Sequence, residues 1–202
     1  VLHFDFMSDK LGYQTNIYVS LPDCMEKGQP PKGILYLLHG GGGNGLDWMR
    51  NTAIERYAQP YELVVIMPEV DGSCFYADMK YGYPYFQYLT EEVPAAMEGM
   101  LPLLQGVEKR YVAGLSMGGY GTWNALQYYG DHFAAGVPIC GGGDPYFAKE
   151  LTDIPIWIYH GEKDDTVSIQ QSEAMYFAIV NAGGEKIHFT RLPGVKHDSW
   201  LN

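Results

Sequence analysis

The sequence predicts an α/β fold in which a mostly parallel sheet carries helices on both faces. Continuous apolar runs at 33–38 and 63–67 are typical of strands that are buried on both sides. Segments with helical spacing alternate with such runs along most of the chain, which is the order that packs crossover helices against a parallel sheet. The first two strand-like segments follow each other without a helix between them. We therefore expect the sheet to start with antiparallel strands.

The first third of the chain alternates between extended and turn-like sequence. Residues 1–6 and 14–21 have the alternating β-branched and aromatic pattern of strands, and a turn at 8–12 joins them. A polar loop leads to the first buried strand, which runs into the glycine-rich residues 40–45. A helix is predicted at 47–58, before the next buried strand begins.

The remaining elements continue this alternation. Residues 71–87 are rich in glycine and aromatic side chains and are predicted to form a long ordered loop. Thr90 is predicted to cap a helix that runs to about residue 105, with Pro94 in its first turn. Further strands are predicted at 110–113, 135–139, 155–159 and 186–192, and further helices at 119–129 and 168–182.

Length, charge and cysteine content limit the classes of protein that this chain can represent. The 202 residues suit a single domain, predicted to span 1–202, and the longest apolar runs are shorter than the roughly 20 residues of a membrane span. Nucleic acids and anionic membranes would repel the formal net charge of -11, so neither partner is expected. Three widely spaced cysteines without a Cys-x-x-Cys pair suggest neither a disulfide framework nor a zinc site.

The beginning of the chain leaves the cellular compartment open. Val1 already lies in strand-like sequence, with no basic segment or apolar signal sequence before it. The chain is therefore expected to be a mature, trimmed or dissected product. A cytoplasmic location and secretion with removal of a signal are both compatible with this expectation, and the oligomeric state is left open.

Residues 114–118 form a Gly-x-Ser-x-Gly motif between a predicted strand and a predicted helix. In a nucleophile elbow the serine occupies a sharp strand-to-helix turn, and small flanking residues let neighbouring backbone segments pass close by. Gly114 and Gly118 meet that requirement, which makes Ser116 the candidate nucleophile. A glycine-containing turn with an incidental serine is the alternative, because so short a pattern also occurs by chance.

A serine nucleophile needs a base and a third group that orients the base, and His197 and Asp164 are the candidates for these roles. Both residues follow predicted strands directly, as Ser116 does, so the three side chains are expected at the same edge of the sheet. Serine, aspartate and histidine also follow one another in the order of the α/β-hydrolases. Asp165 is adjacent to Asp164, but neighbouring side chains alternate in direction, so only one of them can face the histidine.

Acyl transfer also needs N–H donors directed at the developing oxyanion. The backbone N–H of Met117 is one candidate, and Gly41 in the glycine loop is the other, with Gly42 as the alternative within that loop. Gly40, Gly42 and Gly45 also match a dinucleotide-binding pattern, but no acidic residue lies clearly at the end of the next strand to bind a ribose. The histidines and aspartates lack metal-ligand spacing, so neither a metal nor an organic cofactor is expected.

Several motifs together resemble the esterase D-like α/β-hydrolases, which include tributyrin esterases, S-formylglutathione hydrolases, and feruloyl and acetylxylan esterases. The resemblance rests on residues 38–44 with Asp47-Trp48, residues 75–79 with Tyr81-Gly82, residues 113–121, His160-Gly161-x-x-Asp164 and His197-Asp198-x-Trp200. It implies an α/β-hydrolase fold with Ser116, Asp164 and His197 as the catalytic triad. It also implies that Gly41 and Met117 supply the oxyanion donors.

The resemblance implies a serine carboxylic-ester hydrolase that acts through an acyl-enzyme, without a cofactor. Many relatives carry an inserted lid in the segment that corresponds to residues 140–154, but this segment is short here. We therefore expect an open site. Such a site suits short acyl or hydroxycinnamoyl esters, including feruloyl and acetyl esters, on small molecules or polysaccharides. The residues expected to bind this substrate are Gly42, Asp78, Tyr81 and Trp200.

Three alternatives remain at this point. A thioesterase such as an S-formylglutathione hydrolase, or a peptidase, could use the same triad, because the triad does not fix the leaving group. A non-catalytic binding module is disfavoured, since no triad member is missing from the sequence. The aromatic residues at 75–86 are expected to form one wall of the site, and the alternative is that they only pack the loop onto the domain.

Overall fold

The computed structural model describes residues 1–72 and 74–197. This part of the chain contains the strands β1 (Leu2–Met7), β2 (Gln14–Ser20), β3 (Gly33–Leu38), β4 (Leu63–Pro68), β5 (Arg110–Leu115), β6 (Ala135–Ile139), β7 (Ile156–Gly161) and β8 (Ile187–Leu192). Every strand that the sequence pattern predicts is present. The apolar runs and the alternating segments are therefore reliable markers of strands in this chain.

The strands form one sheet in the order β1-β2-β4-β3-β5-β6-β7-β8. The pairs β1–β2 and β2–β4 are antiparallel, whereas every neighbouring pair from β4 to β8 is parallel. In the centre, β3 pairs with β5 so that Leu38 lies opposite Gly114. The prediction of a mostly parallel sheet with an antiparallel start is confirmed.

The helices of the described residues are α1 (Asp23–Glu26), α2 (Asp47–Asn51), α3 (Ile54–Ala58), α4 (Tyr85–Gln87), α5 (Val93–Met100), α6 (Met117–Tyr129) and α7 (Ile169–Asn181). The single helix predicted at 47–58 is thus divided into α2 and α3. Thr52 causes the break, because its hydroxyl donates to Trp48 O and accepts from Ile54 N while its backbone is extended. None of the helices in the described ranges has the length and apolar character needed to cross a membrane.

The helix predicted to start at Thr90 begins earlier in the structure. A π-helical turn at Tyr88–Glu92 joins α4 to α5, so that Thr90 lies inside a continuous helical segment. The Thr90 hydroxyl donates to Phe86 O, which is not a capping bond. Asp78 supplies the cap, since its carboxylate accepts hydrogen bonds from the N–H groups of Phe86 and Gln87. The predicted cap at Thr90 is therefore wrong, because a carboxylate from the preceding loop takes this role.

Helices cover both faces of the sheet, but to different extents. On one face α5 and α6 bury side chains such as Met97 and Trp123 in the main hydrophobic core, and α7 packs there as well. On the other face, Ala58 of α3 belongs to a smaller cluster that includes Leu37 of β3. An apolar groove of about 470 Å³ lies next to this cluster, and its lining includes Trp157 and the cluster residues Leu35 and Val137.

The loops that carry the candidate site residues leave the sheet at the carboxyl ends of its parallel strands. Ser116 follows β5, Asp164 follows β7, and His197 follows β8. Parallel strands end on the same side of a sheet, so these loops share one edge, as the sequence predicts. Between β6 and β7, residues 140–154 contain only a 3₁₀ turn at Pro145–Phe147, which agrees with the expectation of a minimal lid.

Glu92 fixes the turn between β1 and β2 to the π-helical turn, which makes a matched stability test possible. Its carboxylate accepts hydrogen bonds from Ser8 Oγ and Asp9 N. Glu92→Ala should lower the free energy of unfolding by about 1–3 kcal/mol, because buried Ser8 loses its acceptor. Glu91→Ala removes only a surface ion pair with Lys10 and should cost less than about 1 kcal/mol. Urea denaturation measures both, and equal losses would contradict this role of Glu92.

Candidate active site

The Gly-x-Ser-x-Gly motif forms a sharp turn between β5 and α6. Ser116 has φ 56° and ψ -116°, a backbone conformation that is strained for a residue other than glycine. A Cβ atom added to Gly114 would lie 2.3 Å from Gly118 O, and one added to Gly118 would lie 2.3 Å from Leu38 O. A larger residue at either position would displace backbone atoms. The two glycines therefore allow the turn to close against β3 and to hold Ser116 at the edge of the sheet.

Ser116, His197 and Asp164 are connected by two hydrogen bonds. His197 Nε2 lies 2.8 Å from Ser116 Oγ, and His197 Nδ1 lies 2.7 Å from Asp164 Oδ2. A carboxylate only accepts hydrogen bonds, so Nδ1 carries the proton and Nε2 is left to accept the proton of the serine hydroxyl. The structure thus brings together the three residues that the sequence nominates as nucleophile, base and acid.

The Asp164 carboxylate is held by the backbone of its own loop. Its Oδ1 accepts hydrogen bonds from the N–H groups of Thr166 and Val167, at 3.0 and 2.8 Å. Burial by itself raises the pKa of the Asp164 carboxyl, but these two bonds and the one from His197 outweigh it, so its pKa lies below the ordinary value. The group is therefore ionised at neutral pH. The side chain of the neighbouring Asp165 is 62% exposed, whereas that of Asp164 is fully buried.

The glycine loop after β3 passes next to the turn that carries the candidate nucleophile. A Cβ atom added to Gly40 would lie 3.7 Å from Ser116 Cβ, and one added to Gly41 would lie 3.8 Å from Met117 Cβ. Gly42 has φ +74°, a left-handed conformation that favours glycine. Gly41 and Met117, the two residues nominated as oxyanion donors, are therefore neighbours in the structure.

His39 fixes the start of the glycine loop. Its ring is buried, Nδ1 donates to Gly40 O at 2.8 Å, and Nε2 accepts from Val70 N at 3.2 Å. Burial lowers the pKa of His39, which favours the neutral ring that this pair of hydrogen bonds requires. The Tyr76 hydroxyl donates to His39 O and joins the loops after β3 and β4. His39 thus braces the edge of the site.

A cavity of about 260 Å³ lies beside the glycine loop. Besides the glycines, its walls include Leu115, Trp48, Asn51 and Thr52. Trp48 Nε1 donates to Leu38 O at 2.9 Å, which holds the indole ring at the end of β3. Leu115 directly precedes Ser116 in the chain, but Ser116, Met117 and His197 are not among the residues that line this cavity.

The residues nominated for substrate binding differ in their surroundings. Both carboxylate oxygens of Asp78 are engaged by the helix that it caps, including a 2.9 Å bond from Gln87 Nε2 to Oδ2. Tyr81 is 92% exposed. Within residues 1–72 and 74–197, neither side chain is hydrogen-bonded to the serine, histidine or aspartate of the site. Gly42 lies in the glycine loop described above, and Trp200 lies outside the described residues.

The aromatic loop packs mostly onto the body of the protein. Tyr76 and Tyr85 are buried, and Tyr83 packs edge-on against Tyr85. Phe75 is half exposed and packs edge-on against Tyr120, one turn into α6 from the serine. The alternative that these rings hold the loop in place therefore applies to its buried members, while Phe75 remains accessible beside α6.

Two further kinds of site are less well supported by the contacts. The glycine pattern of a dinucleotide site includes Gly45, but a Cβ atom there would lie 2.8 Å from the Tyr18 ring, so packing against β2 explains this glycine. Among the described residues, Cys140, His160 and Asp164 are the one group whose potential metal-ligand atoms all lie within 4.8 Å of one another. Both ring nitrogens of His160 and both oxygens of Asp164 already have protein partners.

Sequence reasoning missed the contact between His160 and the candidate acid. His160 Nε2 lies 3.3 Å from Asp164 Oδ2, and both side chains are completely buried. The available signal is the four-residue spacing in His160-Gly161-x-x-Asp164, which lets the loop after β7 turn back over the end of its own strand. The spacing does not by itself indicate which way the ring faces.

The lowered pKa of Asp164 predicts how protein stability depends on pH. A carboxyl group whose pKa is lower in the folded protein adds stability above its unfolded value of about 3.9, and this contribution is lost as the pH falls through the folded value. The free energy of unfolding lost in Asp164→Asn should therefore be largest above about pH 4 and should shrink below it. Asp165→Asn, on an exposed side chain, is the matched control. Denaturant titrations across this range would contradict the prediction if the Asp164→Asn difference stayed constant.

A known family and a curated relative match most of this chain. The Esterase family model covers residues 8–189. An acetyl esterase from Caldicellulosiruptor saccharolyticus is 32% identical over 137 residues, which are 63% of this chain and 51% of that protein. The chain therefore spans about half the length of this curated relative.

Solved structures share the fold over nearly the whole chain. The fluorophosphonate-binding serine hydrolase F of Staphylococcus aureus, solved with substrate bound, is 28% identical with a TM-score of 0.81, over 99% of this chain and 92% of that chain. An S-formylglutathione hydrolase from Staphylococcus aureus, solved as apoenzyme, is 28% identical with a TM-score of 0.79, over 98% of this chain and 92% of that chain. The sheet order, the serine turn and the family match together show that this chain belongs to the Esterase family and has the α/β-hydrolase fold.

Proposed function

We propose that this chain is a serine carboxylic-ester hydrolase that works through an acyl-enzyme on Ser116. The observation that carries the proposal is the hydrogen-bonded series from Ser116 Oγ through His197 to Asp164, with distances of 2.8 and 2.7 Å. In such a series the base and its orienting acid are in position before a substrate arrives. The strained backbone of Ser116 supports the same function, because it is typical of a nucleophile elbow.

In the acylation step, Ser116 Oγ attacks the ester carbonyl carbon while its proton passes to His197 Nε2. Asp164 stays ionised and stabilises the resulting imidazolium through the Nδ1–H bond, for which its lowered pKa is suitable. When the tetrahedral intermediate collapses, the bond to the leaving alcohol breaks and the alcohol takes the proton from His197. The acyl group then remains on Ser116 as an ester.

Deacylation repeats these steps with water in place of the serine hydroxyl. His197 Nε2 accepts a proton from the water as its oxygen attacks the acyl carbon. Collapse of the second intermediate returns the proton to Ser116 Oγ and releases the carboxylic acid. The two steps together need no group beyond the three side chains and the donors to the oxyanion.

We assign these donors to the backbone N–H groups of Met117 and Gly41. Met117 is the first residue of α6, so its N–H has no acceptor within the helix. Gly41 lies beside it, whereas Gly42 N is close to Gly72 in the loop after β4, where an added Cβ atom would lie 2.8 Å from that nitrogen. Removal of one such donor typically lowers kcat by about 10²–10³-fold.

The acyl group that fits this site best is short. Residues 140–154 supply only a 3₁₀ turn, so they do not form a lid over a long acyl chain. The relative that is 32% identical is named an acetyl esterase, which supports the same substrate class.

The alcohol side of the ester is more open and suits a small molecule or a polysaccharide. The exposed ring of Tyr81 and the half-exposed ring of Phe75 offer flat surfaces for stacking, either with a sugar of the alcohol or with the ring of a hydroxycinnamoyl acyl group. Gly42 would contact the substrate through its backbone. Asp78 would act indirectly, by holding the loop that carries Tyr81, and a contact from Trp200 stays a prediction.

A thioesterase that uses the same three residues is the second candidate. Its support is the S-formylglutathione hydrolase from Staphylococcus aureus, which is 28% identical over 98% of this chain. The triad attacks a carbonyl carbon and does not distinguish an oxygen from a sulfur leaving group. The same argument applies to a peptidase, although none of the contacts described above favours an amide substrate.

Hydrolysis of p-nitrophenyl esters with acyl chains of increasing length tests this proposal. For the unsubstituted protein, kcat/KM should be highest at or below about four acyl carbons and should fall by about eight, because residues 140–154 do not form a lid over a long acyl chain. Ser116→Ala should lower kcat for every ester by a factor on the order of 10⁶. Its circular dichroism spectrum should stay unchanged, because the fold does not depend on the hydroxyl.

Three outcomes of this series separate the alternatives. A maximum at eight carbons or more would contradict the short-acyl assignment, and turnover in Ser116→Ala near that of the unchanged protein would contradict the nucleophile. S-Formylglutathione measured in parallel identifies the second candidate if its kcat/KM exceeds that of every oxygen ester. Hydrolysis rates measured with methyl ferulate and with acetylated xylan then identify the acyl and alcohol groups that the protein prefers.

A further inference from the structure

His160 lies next to the proposed triad, yet the mechanism above does not use it. It is the penultimate residue of β7, and its side chain is completely buried. Its Nδ1 shares a 2.7 Å hydrogen bond with Ser172 Oγ on α7, and its Nε2 lies 2.9 Å from Val167 O. Asp164 Oδ2 is a third neighbour, 3.3 Å from the same Nε2. The ring thus connects β7 and α7 with the loop that carries Asp164.

The chemistry of its partners fixes a proton on His160 Nε2. A carbonyl oxygen only accepts hydrogen bonds, so the 2.9 Å separation from Val167 O requires that Nε2 donates. This N–H group also lies 3.3 Å from Asp164 Oδ2, the oxygen that accepts from His197 Nδ1 at 2.7 Å. Asp164 Oδ2 therefore has the N–H groups of two imidazole rings as neighbours, and both favour its negative charge.

Val167 couples His160 to the other oxygen of the carboxylate. Its N–H donates to Asp164 Oδ1 at 2.8 Å, and its carbonyl accepts from His160 Nε2. Val167 is buried, so water cannot readily replace His160 as the partner of this carbonyl. If His160 loses its donor, Val167 must shift to find another one. That shift would also move the N–H group that holds Oδ1.

We propose that His160 is a positioning residue of the ester-hydrolysing site, which keeps the Asp164 carboxylate in the orientation that His197 requires. This inference rests on the proposed function and adds a fourth side chain to it. His160 is fully buried and does not reach the substrate, so it acts through Asp164. Its loss should therefore lower kcat and leave KM nearly unchanged.

Two amide substitutions distinguish the roles of the two ring nitrogens. The side-chain nitrogen of glutamine reaches about as far as Nε2 of histidine, whereas that of asparagine reaches only about as far as Nδ1. His160→Gln therefore keeps a donor for Val167 O, and His160→Asn keeps only a partner for Ser172. Ser172→Ala is the matched control, because it removes the partner of Nδ1 and leaves Nε2 in place. It also removes the 3.0 Å hydrogen bond from Ser172 Oγ to Gly141 O, so it is as disruptive to local packing as a control should be.

With p-nitrophenyl butyrate as substrate, His160→Asn should lower kcat by about 10–100-fold and change KM by less than about 2-fold, as is typical when the partner of a functional side chain is removed. His160→Gln and Ser172→Ala should keep kcat within about 3-fold of the unchanged protein. Equal kcat values for the two amide variants, or a loss in Ser172→Ala as large as in His160→Asn, would overturn the proposal. A folded His160→Gln variant with kcat lowered more than about 10-fold would also overturn it.

Proton NMR tests the same role without any substrate. The His197 Nδ1–H proton that is bonded to Asp164 should give a resonance at low field that disappears in His197→Ala. It should persist in His160→Gln and be lost or shifted to higher field in His160→Asn. If the protein hydrolysed no ester but the resonance behaved in this way, the proposed function would fail and the positioning role would stand. An unshifted resonance in His160→Asn would overturn the positioning role whatever the activity.

Discussion

The contact between the end of β3 and the turn at Ser116 determines the geometry of this edge of the sheet. A Cβ atom on Gly118 would lie 2.3 Å from Leu38 O, and one on Gly114 would lie 2.3 Å from Gly118 O. Because these atoms approach so closely, α6 begins next to the end of β3. The glycine loop, Ser116 and the N–H of Met117 therefore lie close together. A side chain at either glycine would push α6 away from β3 and separate Ser116 from the glycine loop.

Most of the fold could be predicted because burial leaves a clear pattern in the strands. The parallel strands β3 and β4 lie in the middle of the sheet, and both read as uninterrupted apolar runs. The predictions failed where one side chain competes with the helical backbone for hydrogen bonds. Thr52 divides one helix in this way, and Asp78 caps another whose start had been assigned to Thr90. The Asp78 contact depends on how a loop folds back, which local sequence does not specify.

The central residues of the site could be predicted because their chemistry restricts both residue type and position. Ser116 and His197 are 81 residues apart, and His197 and Asp164 are 33 apart, but each follows a strand of the same parallel sheet. The surroundings of individual side chains could not be predicted from the sequence. The ring of His160 faces Asp164 because α7 and the loop after β7 enclose it, and both carboxylate oxygens of Asp78 are used by a helix.

The most direct test of the acyl-enzyme mechanism is mass spectrometry of the protein after brief mixing with p-nitrophenyl butyrate and an acid quench. A covalent intermediate on Ser116 requires that the intact mass rises by one butyryl group and that peptide mapping places this group on Ser116. The adduct should be absent from Ser116→Ala. Release of p-nitrophenol without any adduct, or an adduct on another residue, would contradict the mechanism.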